Sequence, residues 1–213
     1  MRVILPETLP DPFKAVRDKD EKFLWVGEPA FLPFLLTGVP FLILGLLWGC
    51  FDYFGFIRHM PAKMAGFMIP FFALHLFPFW GSILNMFRLV LVHKNTFYAI
   101  TNKRVMLRSG FWGINFEAID YDKITDMQVT VNPVENMMGV GSIRFSTGEL
   151  SSKGAALFKT FISVPAPYEV FKQIKTVSVD VKTDWNYPNK LRPEENPGYN
   201  TEYKPEEKEK PDA

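Results

Sequence analysis

Apolar and polar positions are segregated along this chain rather than mixed. No charged residue occurs from Pro29 to Phe51 or from Met64 to Phe87. Each run exceeds the roughly 20 residues a helix needs to cross a ~30 Å hydrocarbon core. Only Asp52 to Lys63 separates them, and two such runs would overfill the core of a 213-residue protein. The first run also begins too late, after an acidic and basic stretch, to be a cleaved signal. The pattern predicts a hairpin of two transmembrane helices, about 30–51 and 64–87, within a segment 29–92. Pro33, Pro40, Pro70 and Pro78 fall inside the runs and predict kinks, which membranes tolerate where neighbouring groups satisfy the freed carbonyls.

From His93 the rhythm shortens. Phe97–Ile100, Val105–Arg108 and Asn115–Ile119 read as strands between the polar turn Thr101-Asn102-Lys103 and the glycine-bearing turn Ser109–Gly113. Ile124–Val131 gives the clearest alternation, with Met127, Val129 and Val131 against Asp126, Gln128 and Thr130. Ile143–Phe145 and Leu157–Val164 complete about six strands, which predict a bent antiparallel sheet or small barrel. Pro165 and Pro167 then open an amphipathic helix whose Val170, Phe171, Ile174 and Val177 form one stripe. That stripe is expected to cap an open end of the sheet.

Overall charge, +1 with hydropathy averaging to neutral, conceals this segregation; the distribution of basic residues is more informative. Lys14, Arg17, Lys19 and Lys22 precede the first run, and Arg88, Lys94, Lys103, Arg104 and Arg108 follow the second. The connecting loop holds only Arg58 and Lys63. By the preference of Lys and Arg for the cytoplasmic side, both termini are expected inside. Cys50 is the single cysteine, so the chain cannot form an internal disulfide.

Several short motifs carry a family resemblance. They are Tyr98-Ala-Ile-Thr-Asn-Lys-Arg-Val105 with Arg108-Ser-Gly110, Asp122-Lys-Ile124, Gly139-Val-Gly-Ser-Ile143 and Val164-Pro-Ala-Pro167. Trp25-Val-Gly-Glu-Pro29 leads into the first run. In this order, over about residues 21–177, the chain resembles bacterial pleckstrin-homology membrane proteins. The resemblance implies a two-helix anchor in the inner (cytoplasmic) membrane followed by an antiparallel β PH-like barrel capped by one C-terminal helix. The expected organisation is an N-terminal cytoplasmic segment 1–28, the hairpin 29–92, the PH-like domain 93–178 and a tail 179–213. The tail is rich in proline and charge and poor in aliphatic residues, so it is expected to be extended or disordered alone. Its Trp185, Tyr187, Tyr199 and Tyr203 are candidate partner contacts.

Convergent reactive groups are absent from the sequence pattern. There is no HExxH, CxxC, Gly-x-Ser-x-Gly or Walker motif. Gly139-Val-Gly141 is too short for a dinucleotide fingerprint and lies between strands. Asp120, Asp122 and Asp126 lack the glycine and terminal glutamate of a calcium loop. Neither an enzyme nor a cofactor or metal is expected, and a mildly basic domain with an acidic tail does not point to nucleic acid. His59 falls in the connecting loop, His93 at the inner boundary and His75 within the second run. His75 is expected to donate to a carbonyl freed near Pro70 or Pro78, with helix or partner recognition as the alternative. Arg88, Lys94, Lys103, Arg104 and Arg108 form a candidate lipid-facing set. Phe111 and Trp112 could dip into the interface, contact a partner or close the barrel. The leading expectation is a non-catalytic, membrane-anchored module that organises, assembles or stabilises other membrane proteins, with membrane lipids as further partners and homo-oligomers possible. The alternative is a protein sensing anionic lipid or envelope stress.

Overall fold

The computed structural model describes residues 11–150 and 156–186. Its chain divides into two units: a β-rich unit of residues 1–30, 96–108 and 115–213, and a helical unit of residues 31–95 with 109–114.

The β-rich unit starts earlier in the chain than the strand pattern predicts. A short helix α1 (Asp11–Val16) precedes strand β1 (Phe23–Gly27), which pairs antiparallel with β2 (Phe97–Thr101), placing Trp25 opposite Ile100 and Val26 opposite Ala99. The order β1-β2-β3-β4 continues through β3 (Arg104–Ser109) and β4 (Asn115–Asp120). A second sheet, β5-β6-β7, is built from β5 (Asp126–Thr130), β6 (Val140–Leu150) and β7 (Ala156–Pro165). Phe23–Gly27, within the segment 1–28, thus pairs with a strand of the stretch 93–178. The physical reason is that Trp25 and Val26 are buried apolar side chains, and only pairing beside β2 covers them while satisfying their backbone.

Alternation along β5 is as predicted, with Met127 and Val129 half-buried and Asp126, Gln128 and Thr130 exposed. This strand begins two residues later than expected, because Tyr121–Lys123 forms a 3-10 turn. Between β5 and β6 lies an unpredicted helix α6 (Pro133–Met137), started by a reciprocal cap in which Asn132 and Glu135 bond each other's backbone N–H.

One core joins both sheets and the final helix α7 (Pro167–Asn186): Trp25, Tyr98 and Ile100 meet Phe145, Phe161, Ile174 and Val177. Tyr98 stacks on Phe161 at 4.4 Å, and its hydroxyl donates to Ile162 O and accepts from Ile162 N. Burial pushes this phenol's pKa upward, partly offset by the hydrogen bond to Ile162. Helix α7 runs past Val177, because Val181 continues the stripe onto the core and Lys182 Nζ donates to Ile124 O at 2.7 Å. The expected extended tail thus starts as helix, and 187–213 lie outside the described residues.

The opposite face of β1–β2–β3 carries a smaller core of Phe13, Val26, Ala99 and Met106, with Phe13 set edge-on to Phe23 and Phe116. The chain between α1 and β1 is held by Glu21, whose side chain has no exposed surface. Its carboxylate accepts from Asp18 N, Thr101 Oγ1, Arg104 Nε at 3.0 Å and Arg104 at the terminal nitrogen, 2.9 Å away. Arg104 also donates to Val16 O. One buried, bidentate pair therefore fastens the N-terminal segment to the β2–β3 turn.

In the helical unit, the breaks in both apolar runs fall just before a proline, which then sits in the first turn of the next helix. The first run becomes α2 (Phe31–Leu36) and α3 (Val39–Gly55), with Pro40 in the first turn of α3. The second becomes α4 (Ala65–His75) and α5 (Phe77–Asn95), bent by 45° at a break before Pro78. Proline lacks an N–H and disfavours helix in the residue before it, so it fits a first turn best. Pro70 alone stays inside a helix. The stretch Val39–His59 is long and apolar enough to cross a membrane, and the bent pair Ala62–His75 with Phe77–Asn95 passes the same test only when taken together. Helices α3 and α5 approach closely at Gly45, where a methyl group would collide with Ser82 Oγ and the Pro78 carbonyl.

Glu21 supplies a pH test. Burial raises its pKa, but hydrogen bonds from Arg104, Asp18 N and Thr101, with the Arg104 charge, hold it below the ordinary 4.5. A depressed carboxylate stabilises the fold fully above its ordinary pKa and loses that contribution as pH falls through the folded value. Glu21→Ala is expected to cost about 3 kcal/mol at neutral pH and to flatten the acid limb of a thermal-unfolding profile of the full chain in detergent.

Candidate functional site

The five basic residues expected to face lipid divide into two groups. Arg104 is occupied by Glu21 and also lies 3.5 Å from Asp18. Arg108 is buried, with its guanidinium over the Phe97 ring at 5.4 Å. Neither is presented to a ligand, because a guanidinium whose long stem packs on the sheet gains more from local partners than from water. Arg88, Lys94 and Lys103 are exposed. Arg88 is held by Asn85 Oδ1 through two hydrogen bonds on α5, and Lys103 stands 4.0 Å from Asp18. The basic surface is thus smaller than charge counting implies.

The aromatic turn lies elsewhere than a barrel core. Residues 109–114 belong with the helical unit. Asn95, the last residue of α5, donates from Nδ2 to Gly110 O at 3.1 Å. Phe111, Trp112 and Ile114 are exposed, so these rings do not close the barrel. Of the tail aromatics, Trp185 falls in the last turn of α7 with its side chain outside the described residues. Tyr187, Tyr199 and Tyr203 lie outside them altogether.

His75 has a partner that the two uncharged runs concealed. Its Nε2 stands 3.6 Å from Oδ1 of Asp52, a side chain with no exposed surface, one turn before the end of α3. Neither carboxylate oxygen of Asp52 accepts a hydrogen bond from a described residue. The expected donation by His75 to a carbonyl near Pro70 or Pro78 is replaced by another arrangement. The carbonyl freed at the α4–α5 break is that of His75 itself, and Trp48 Nε1 donates to it at 3.3 Å. The imidazole stacks on Phe71 at 5.3 Å and tilts against Trp48 at 5.4 Å. The helical unit therefore sets a buried acid beside a partly exposed imidazole that packs on aromatic rings. Among the described residues, no group of three or more His, Cys, Asp or Glu is placed to hold a metal ion.

A profile of the family described as Bacterial PH domain matches residues 31–177, well over half of the chain. The chain belongs to that family. The match takes in the helices together with β2–β7 and most of α7, while α1 and β1 of this PH domain precede it. No match was found among curated proteins. Among solved structures, the chain is similar to that of a DUF1696 family protein with a pleckstrin-homology domain from Shewanella loihica PV-4. That likeness has 19% identity, covers 39% of this chain and 71% of that one, and has a TM-score of 0.28. At that level it carries no argument of its own.

Three features of this PH domain protein escaped the sequence reading. Glu21 sits in a mixed-charge stretch with no local sign that Arg104, 83 positions away, is its partner. Asp52 is the first charge after an uncharged run, which reads as the start of a loop. The third, α6, was missed although it carries a local sign: Asn132-Pro-Val-Glu135 has the spacing of a capping box.

The Asp52–His75 pair gives a cycle of variants. His75→Leu strands a buried carboxylate and is expected to destabilise the helical unit by about 3–5 kcal/mol. Asp52→Leu with His75→Leu is expected to recover most of that loss. Unfolding of full-length variants in mixed micelles reads both; simple additivity of the two single substitutions would rule the pairing out.

Proposed function

We propose that this protein is a non-catalytic, membrane-anchored PH-domain module that organises, assembles or stabilises other membrane proteins at the cytoplasmic face of a bacterial inner membrane. The observation that carries the reading is the exposed apolar surface of the helical unit. Leu47, Phe51, Phe67, Leu74 and Phe87 are all exposed on it, and little of the span Val39–His59 is buried within the chain. Such a surface far exceeds what a water-soluble monomer tolerates and calls for lipid or other apolar helices. The connections support the rest of the reading. Three residues separate β1 from α2 and one separates α5 from β2, so strand gives way to helix, and helix to strand, with little connecting chain.

Lipid sensing is the weaker reading, because two of the five basic residues expected to face lipid, Arg104 and Arg108, are engaged within the fold, which leaves three of that set exposed. Each contributes about 1 kcal/mol toward an anionic surface, a modest and salt-sensitive total.

Purification of the full chain from its native membrane in mild detergent tests the proposal. Integral membrane proteins are expected to copurify in fixed ratio and to persist at high salt, since apolar helix contacts are not screened. They are expected to fall away when Leu47 and Phe51 are replaced together by alanine. A monomer carrying only lipid would contradict the assembly role.

A further inference from the structure

The β3–β4 turn is an uncharged, aromatic segment in an otherwise charged domain: Ser109-Gly-Phe-Trp-Gly-Ile114 carries no Asp, Glu, Lys or Arg. Trp112 is 93% exposed, and Phe111 and Ile114 are also exposed. The turn is built tightly. Gly110 has φ +156°, and a side chain there would collide with the Gly113 carbonyl, so the two glycines fold the chain back and present the rings between them.

Its position decides what the rings meet. The turn clusters with the helices, and its Gly110 carbonyl is held by Asn95 at the C-terminal end of α5. That helix spans 19 residues, about 28 Å, close to the thickness of a hydrocarbon core. Lys94 and Arg88, both exposed, lie in its last two turns, interleaved with exposed Phe87 and Leu91. Cations mixed with apolar side chains at a helix end mark the headgroup level of a bilayer. Tryptophan prefers that level, because its ring is apolar and its indole N–H needs a polar neighbour.

We propose that Ser109–Ile114 is an interfacial membrane anchor, with Phe111, Trp112 and Ile114 seated at the headgroup–acyl boundary of the bilayer that holds the helices. The inference rests on the membrane-anchored reading above and adds a third attachment from the PH-domain sequence itself. Lipid is favoured over a protein partner because the turn is hydrogen-bonded to the C-terminal end of α5, where exposed apolar Phe87 and Leu91 alternate with exposed Arg88 and Lys94.

The test uses the full-length Cys50→Ser chain in nanodiscs of phosphatidylcholine and phosphatidylglycerol, nitroxide-labelled at one introduced cysteine. Gly113→Cys leaves both rings in place, and a side chain at Gly113 meets nothing within 4 Å. Leu47→Cys reports the exposed face of α3, and Met137→Cys, 88% exposed on α6, reports an exposed site of the PH domain. The readout is the ratio of collision with oxygen to collision with a water-soluble nickel chelate. The label at 113 is expected to give a ratio severalfold above that at 137 and below that at 47, and to drop toward the 137 value when Phe111 and Trp112 are both changed to serine. A 113 label matching 137 while 47 reads lipid overturns the anchor alone. A label immobilised at 113 and shielded from both reagents overturns it in favour of a protein contact. Water-like values at both 47 and 113 overturn the membrane reading along with it.

Discussion

The structure depends on a strand pair that closes across the helical segment. After β1 the chain leaves the sheet, runs through α2 to α5, and returns to lay β2 beside the strand it left. Joining ends so far apart in sequence costs entropy that grows only slowly with length. The close α3–α5 approach at Gly45 lowers that cost by folding the intervening chain back on itself. Glu21 and Arg104 then lock the N-terminal segment onto the β2–β3 turn, and Phe13 covers the outer face. Without this pairing, Trp25 and Val26 would have no core to join.

Two buried acids, Glu21 and Asp52, are handled in different ways. Glu21 is satisfied by four donors and is a stabilising clamp. Among the described residues Asp52 Oδ1 has His75 Nε2 at 3.6 Å and neither oxygen accepts a hydrogen bond, so the helical unit tolerates this side chain rather than gaining much from it. The difference matters for function. The clamp engages Arg104 within the fold, whereas the Asp52 site leaves its imidazole partly exposed.

Local pattern was enough for much of the PH domain. The alternation of Met127 and Val129, the turn at Thr101–Lys103 and the stripe of α7 each reflect contacts between near neighbours in sequence. The helices were legible as two apolar runs, and the prolines marked where each would break. The pairing of β1 was not legible, since Phe23–Gly27 adjoins an apolar run and its partner lies beyond the helices. Charge was the least informative signal: Arg104 and Arg108 look like Lys103 in sequence, yet only distant partners decide which cation faces water. Asp52 was misread for the same reason, because its burial depends on the α4–α5 bend that delivers His75.

The PH domain is assembled from chain on both sides of the helices. Amide hydrogen exchange of the full-length protein in nanodiscs, read by mass spectrometry at peptide level, addresses it directly. If the claim holds, the amides of Phe23–Gly27 are protected to the same degree as those of Phe97–Thr101, and both segments open together as denaturant is added. Rapid exchange throughout Phe23–Gly27, with Phe97–Thr101 and Arg104–Ser109 still protected, would contradict it.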